Sequence, residues 1–211
     1  MATNNPRGFI PVNHLTGDLD MKMTLRPTRG KNNAQIFPGD VVFLDASGAG
    51  KGIQKYHDAA SAAAKPPLGV VGMVLNAQRR PYTFNQPGVG GPFIPTSSVG
   101  FAGVYEDPGI IYAANASATA TFQHVGTFAQ IQVTAPNTAA GRSGMAVDLG
   151  TTVSGAGQVL KVVNISPMDG QLEECPISGA ANNDVEVVFV QHQWLNDTRR
   201  NEIQVLVSGN G

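Results

Sequence analysis

A single cysteine, Cys175, leaves this chain no partner for an internal disulfide and no basis for a thiolate metal cluster. Charge is equally scarce. Asp, Glu, Lys and Arg make up 14 % of the 211 residues, against roughly 25 % in an average soluble protein. The net charge of -1 excludes a global field that would gather nucleic acid or an anionic membrane. No run approaches the roughly eighteen apolar residues of a membrane-spanning helix, and MATNNPRGFIPVNH lacks the apolar stretch of a secretory signal. These absences predict a soluble protein made in a reducing cytosol. The N-x-S/T triplets at Asn115, Asn164 and Asn196 are then chance matches.

Catalytic signatures are missing too. The histidines His14, His57, His124 and His192 are far apart, with neither i, i+4 spacing nor a nearby cysteine. Ser47-Gly48-Ala49-Gly50-Lys51-Gly52 superficially suggests a phosphate loop. Asp45 stands at its first required glycine, however, and Gly52 replaces the magnesium-binding hydroxyl, so a hairpin loop is the better reading. In Gly141-Arg142-Ser143-Gly144 a glycine follows the serine by one residue instead of the two a nucleophile elbow needs, which leaves a turn with a bulge. Glu106-Asp107 and Glu173-Glu174 sit in turns as solvated pairs. Arg79-Arg80-Pro81-Tyr82-Thr83-Phe84 is the one stretch that interleaves basic and aromatic residues, and Arg199-Arg200 has no aromatic neighbours. The expectation is a protein that is not an enzyme, with no cofactor, no metal, no nucleic acid and no membrane partner.

What the chain does have is 25 glycines, 14 prolines and 42 % hydrophobic residues. Frequent turn residues between short apolar runs predict an all-β protein, of a length that can bury a sizeable core unaided. Charge is unevenly placed. Residues 1–80 hold ten of the fourteen Lys and Arg but five of the fifteen acids. Such a chain could set opposite ends of neighbouring copies against each other, or the uneven surface charge could have no role.

Residues 1–36 are polar and irregular, with Pro6, Pro11 and Pro27 at intervals, and read as an extended arm that orders on a partner. Residues 37–86 form a first lobe: strands Val41–Leu44, Ile53–Tyr56, Leu68–Leu75 and Tyr82–Phe84, with two helical turns over His57–Ala64. Residues 87–96, rich in glycine and proline, form a linker, with Phe93 and Ile94 packing against something. Residues 97–211 form a second lobe, with strands expected at Val99–Tyr105, Ile110–Ala113, Thr119–Phe122, Thr127–Val133, Met145–Leu149, Val159–Ile165, Val185–Gln191 and Glu202–Val207. Asp107-Pro108-Gly109 is a turn with a mechanism, because proline presets φ and glycine accepts a positive one. Each lobe is a small β-barrel or β-sandwich.

GFIPVNHLTG (Gly8–Gly17), GDVV (Gly39–Val42), GVVGMV (Gly69–Val74), VYEDPG (Val104–Gly109), GRSGMAVDL (Gly141–Leu149), QVLKVVNISP (Gln158–Pro167) and VEVVFVQHQ (Val185–Gln193) occur in this order. Together they resemble the capsid decoration, or cement, and head-structural proteins of tailed bacteriophages. The resemblance implies a β-rich protein on the outside of an assembled head shell, commonly a trimer at three-fold positions, that clamps neighbouring copies of the major capsid protein. Made in the bacterial host cytoplasm, such a protein ends on the virion. The linker at 85–96 and the extension after Trp194 depart from that pattern.

Shell contact is expected from the arm residues Arg7, Phe9, Ile10 and His14. Contact between copies is expected from Phe93, Ile94 and Trp194. A second reading is a carbohydrate- or host-surface-binding β module that stacks Trp194, Tyr82 and Tyr105 on sugar rings. A hydrolase would need Ser143, His124 and Asp148 to converge.

Overall fold

The computed structural model describes residues 7–17, 21–30, 32–45, 52–56, 66–81, 92–150, 159–165 and 184–194. Eleven strands lie in these segments: β1 (Ile10–His14), β2 (Met23–Pro27), β3 (Val41–Asp45), β4 (Gly52–Lys55), β5 (Gly69–Asn76), β6 (Gly100–Tyr105), β7 (Ile110–Asn115), β8 (Phe128–Val133), β9 (Met145–Asp148), β10 (Leu160–Ile165) and β11 (Asp184–Phe189). They form two antiparallel sheets, a six-stranded one in the order β1-β7-β11-β10-β8-β9 and a five-stranded one in the order β2-β6-β5-β3-β4. The protein is all-β and sandwich-like, and its described strands close no barrel.

Side-chain alternation sorts the apolar residues into two cores. In β3, Val41 and Phe43 join the main core between the sheets, where they meet Ile110, Tyr112, Leu160, Val187 and Phe189 of the six-stranded sheet. Val42 of the same strand points the other way and joins Ile36, Ile53, Leu68, Val74, Ile94 and Val104 in a second core. A bulge at Gly72 in β5 keeps the two sets apart: Val71 pairs with Val104 and Val74 with Ala102, which places a three-residue spacing on one face. Phe9 and Tyr112 pack around Phe189, with ring centroids 6.3 and 5.4 Å from it.

Three expectations change. The segment read as an arm holds β1, paired with β7, and β2, paired with β6, so it contributes an edge strand to each sheet. Both strands carry proline, and an edge tolerates it because one row of backbone groups has no ladder partner. The division at 87–96 does not separate two sheets either. β6 lies beyond it yet pairs with β5, and Ile94 exchanges backbone hydrogen bonds with Ile36 at 2.8 and 3.0 Å. Finally, Thr119–Phe122 is no strand. Thr121 begins a 3₁₀ turn over Phe122–His124, where the His124 ring takes the Thr121 N–H at 3.0 Å and competes with any ladder.

The other strands and the Asp107-Pro108-Gly109 turn fall where the sequence puts them, within one or two residues at their ends. The loop over 46–51, the helical turns at 57–64, Tyr82–Phe84, Glu173-Glu174, Cys175, Arg199-Arg200 and Glu202–Val207 lie outside the described residues.

Candidate functional site

The residues expected to make outward contacts divide by burial. Phe9 lies in the main core, while Phe93, 6 % exposed, and Ile94, fully buried, pack inside the chain, with Phe93 4.8 Å from the Phe37 ring. Their side chains are spent on this chain's own interior, which corrects the outward role assigned to them. Ile10 and His14 are half-buried on β1. His14 Nδ1 meets Thr16 Oγ1 at 2.7 Å, and its Nε2 lies 3.2 Å from Asp107. Arg7 pairs with Asp184, which accepts a further hydrogen bond from Asn115 at 2.7 Å.

Trp194 is 49 % exposed, but its Nε1 donates to Glu106 at 3.3 Å and the Arg26 guanidinium lies 5.7 Å over its ring. Arg26 forks onto Glu106 at 2.5 and 2.6 Å. That carboxylate, through its hydrogen bonds above all, holds the guanidinium more basic than usual. Of the stacking set proposed for sugars, the indole has one face towards Arg26, Tyr105 is half-buried, and Tyr82 lies outside the described residues. Next door, Gln193 fastens the end of β11 to β3. Its amide accepts from Leu44 N–H at 2.8 Å and donates to Leu44 C=O at 3.0 Å.

The hydrolytic set does not converge. Ser143 Oγ is buried and donates to Asp40 at 2.5 Å while accepting from Met145 N–H at 3.0 Å. His124 is engaged with Thr121, and Asp148 accepts from Ser117 at 3.2 Å and from Gly150 N–H at 2.9 Å. Asp40 is the centre of a buried polar cluster that the sequence did not single out. Lys55 Nζ lies 3.0 Å from it, and Phe37 N–H donates to it at 2.8 Å. Burial raises the Asp40 pKa, against the pull of Lys55, Ser143 and the Phe37 N–H. The cluster joins β4, the turn before β3 and the turn before β9, so it ties one sheet to the other.

His192 is buried at the same end as Trp194, and its Nδ1 accepts Trp194 N–H at 3.1 Å. Burial lowers its pKa from 6.5 to about 4, although the Leu68 carbonyl, Glu106 and Asp107 favour a proton. Among the described residues no group of three His, Cys, Asp or Glu could hold a metal ion, and no helix is long and apolar enough to cross a membrane.

The face of the five-stranded sheet that continues past the main core carries Met23, Leu25 and Met73, each between 37 % and 40 % exposed. Met23 pairs with Tyr105 and Leu25 with Gly103, which also faces Met73. A Cβ on Gly103 would lie 2.9 Å from Met73 Cγ and 3.2 Å from Met23 Sδ, so both methionines lie across a glycine floor. β2 is the outer strand here. Sequence reasoning missed this patch because Met23 and Leu25 lie in the segment read as an arm, apart from the strand that carries Met73; the alternation Met23, Leu25 was its signal.

No family model, no curated protein and no solved structure matches this chain.

Proposed function

We propose that the chain is a non-enzymatic virion structural protein that binds the outside of an assembled phage capsid and steadies contacts between major capsid protein subunits, acting as a trimer. The observation that carries this reading is the exposed Met23–Leu25–Met73 face beside the outer strand β2. Contiguous exposed apolar surface on a charge-poor protein marks a place of association, and methionine adapts its shape to a partner. The order of segments that resembles decoration proteins supplies the class of partner. Many weak copies on one shell reach high occupancy together, so no single deep site is needed.

Co-sedimentation with empty shells of the cognate major capsid protein tests the reading. Wild-type protein is expected in the pellet, and the Met23→Lys/Met73→Lys variant in the supernatant with an unchanged melting temperature. Wild-type protein that stays monomeric and in the supernatant overturns it. The half-exposed Trp194 indole favours a second reading, a carbohydrate-binding module on the virion, which a glycan array separates: binding there that Trp194→Ala abolishes would select it.

A further inference from the structure

Next to the methionine face, with Tyr105 between them, a cleft of about 640 Å³ opens beside the start of β1. This volume lies within the range of roughly 300–1,000 Å³ of small-ligand sites. Ile10, Pro11, Pro38 and Tyr105 give it apolar walls, and the charged groups among its described lining residues are two guanidiniums, Arg7 and Arg142. No acid lines it.

Both arginines stand on backbone that has little room to shift. Phe9 N–H donates to Gly39 C=O at 2.9 Å. Gly8 has φ +77°, and a Cβ there would meet Gly39 O at 2.5 Å and Ser143 Cβ at 2.6 Å, so the chain is pressed together around Arg7. Asp184 holds one end of the Arg7 guanidinium, while Nε is shielded from water and makes no hydrogen bond. Arg142 sits at the end of a turn closed by paired backbone bonds to Asn137, both 3.0 Å, and Asn137 Oδ1 accepts Ala140 N–H at 2.9 Å. Its neighbour Gly141 is packed directly against the Pro92 ring, and Ser143 on the other side is anchored to Asp40. The Arg142 side chain is exposed and forms no ion pair with any described residue.

We infer that this cleft binds a carboxylate carried on a short apolar chain. The carboxylate takes the fork of Arg142, with the part-exposed Arg7 guanidinium also lining the cleft, and the tail lies against Ile10, Pro11, Pro38 and Tyr105. Because Asp184 already balances Arg7, the cleft offers about one uncompensated positive charge, which matches a monoanion better than a phosphate dianion. The apolar walls also penalise the hydration a phosphate retains. A guanidinium and a carboxylate meet in two parallel hydrogen bonds, so the site distinguishes this head group by shape as well as charge. The Gly-Arg-Ser-Gly turn, which fails as a nucleophile elbow, thereby gains a use: it presents Arg142.

Isothermal titration of the full chain with octanoate, 1-octanol and inorganic phosphate reads the inference directly. Octanoate is expected to saturate at one per chain, with octanol and phosphate each weaker by about tenfold or more, as the loss of a charged hydrogen-bonding pair implies. Arg142→Gln is expected to weaken octanoate by about tenfold and Arg142→Lys by less, since lysine keeps the charge but not the fork. The exposed position of Arg142 keeps both variants folded, which their melting temperatures verify. Acetyl-Ala-Ala-Leu with a free C-terminus separates two sources of the same chemistry: competition with octanoate identifies a peptide end, and its absence a free amphiphile. Octanoate that fails to saturate, binds no tighter than phosphate, or binds Arg142→Gln as well as wild type overturns the inference.

Discussion

His192 and Lys55 are two buried polar residues whose surroundings set opposite demands. His192 stays neutral in the fold down to about pH 4, while the unfolded chain takes up its proton near pH 6.5. Between those values the unfolded state binds the extra proton, so stability present above pH 6.5 is lost as the pH falls through the window, by about 3 kcal/mol at its lower end. Urea midpoints measured from pH 7.5 to 4.5 are expected to drop in wild type and to drop less in His192→Gln. Equal slopes would show that the ring does not stay neutral. Asp40 titrates alike in both proteins and cancels in that comparison. Lys55 Nζ lies 3.0 Å from the buried Asp40, so Lys55→Met strands that carboxyl group in the core without its partner and is expected to cost about 3–5 kcal/mol in urea unfolding. His192 was legible as a structural hydrogen-bonding residue beside Gln193 and Trp194, whereas Lys55 was not legible as part of a cluster, because Asp40, Lys55 and Ser143 meet only when β4 and turns of both sheets close on one another.

At the scale of elements, central strands were easier to read than edge strands, and the reason is physical. β3, β5, β10 and β11 are continuous or alternating apolar runs because both neighbours and at least one core demand it. β1 and β2 lie at sheet edges, where proline is tolerated and one face or flank remains wet, so IPVNH and MTLRP carry too weak a pattern to stand out from a polar arm. The two readings differ in outcome. A removable arm would leave the melting temperature unchanged on truncation. Deletion of residues 1–16 instead removes Phe9 and the β1–β7 ladder, and is expected to leave protein that lacks a cooperative thermal transition by circular dichroism.

For the whole molecule, the uneven charge along the chain takes on a different meaning. The pairs Arg7–Asp184, Arg26–Glu106 and His14–Asp107 each join a base from the first 80 residues to an acid from the rest. In these three pairs the charges meet within one chain, stitching its beginning to its later strands. Both sheets likewise mix early and late segments, so neither half holds a complete sheet. Residues 1–86 and 97–211 expressed separately are therefore expected to remain unfolded, whereas two independent lobes would each show a melting transition. The intact chain should unfold in one step and refold slowly, over milliseconds to seconds, because its ladders are dominated by distant pairings.

The seat of Trp194 has a practical consequence of its own. It is the one tryptophan of the chain, held at the end of β11 by Glu106 and Arg26, which belong to the five-stranded sheet and its margin. Its emission is a built-in gauge of whether the β11 end is docked on the opposite sheet. A red shift that precedes the loss of β signal would show that the molecule comes apart first along this seam, with no label added.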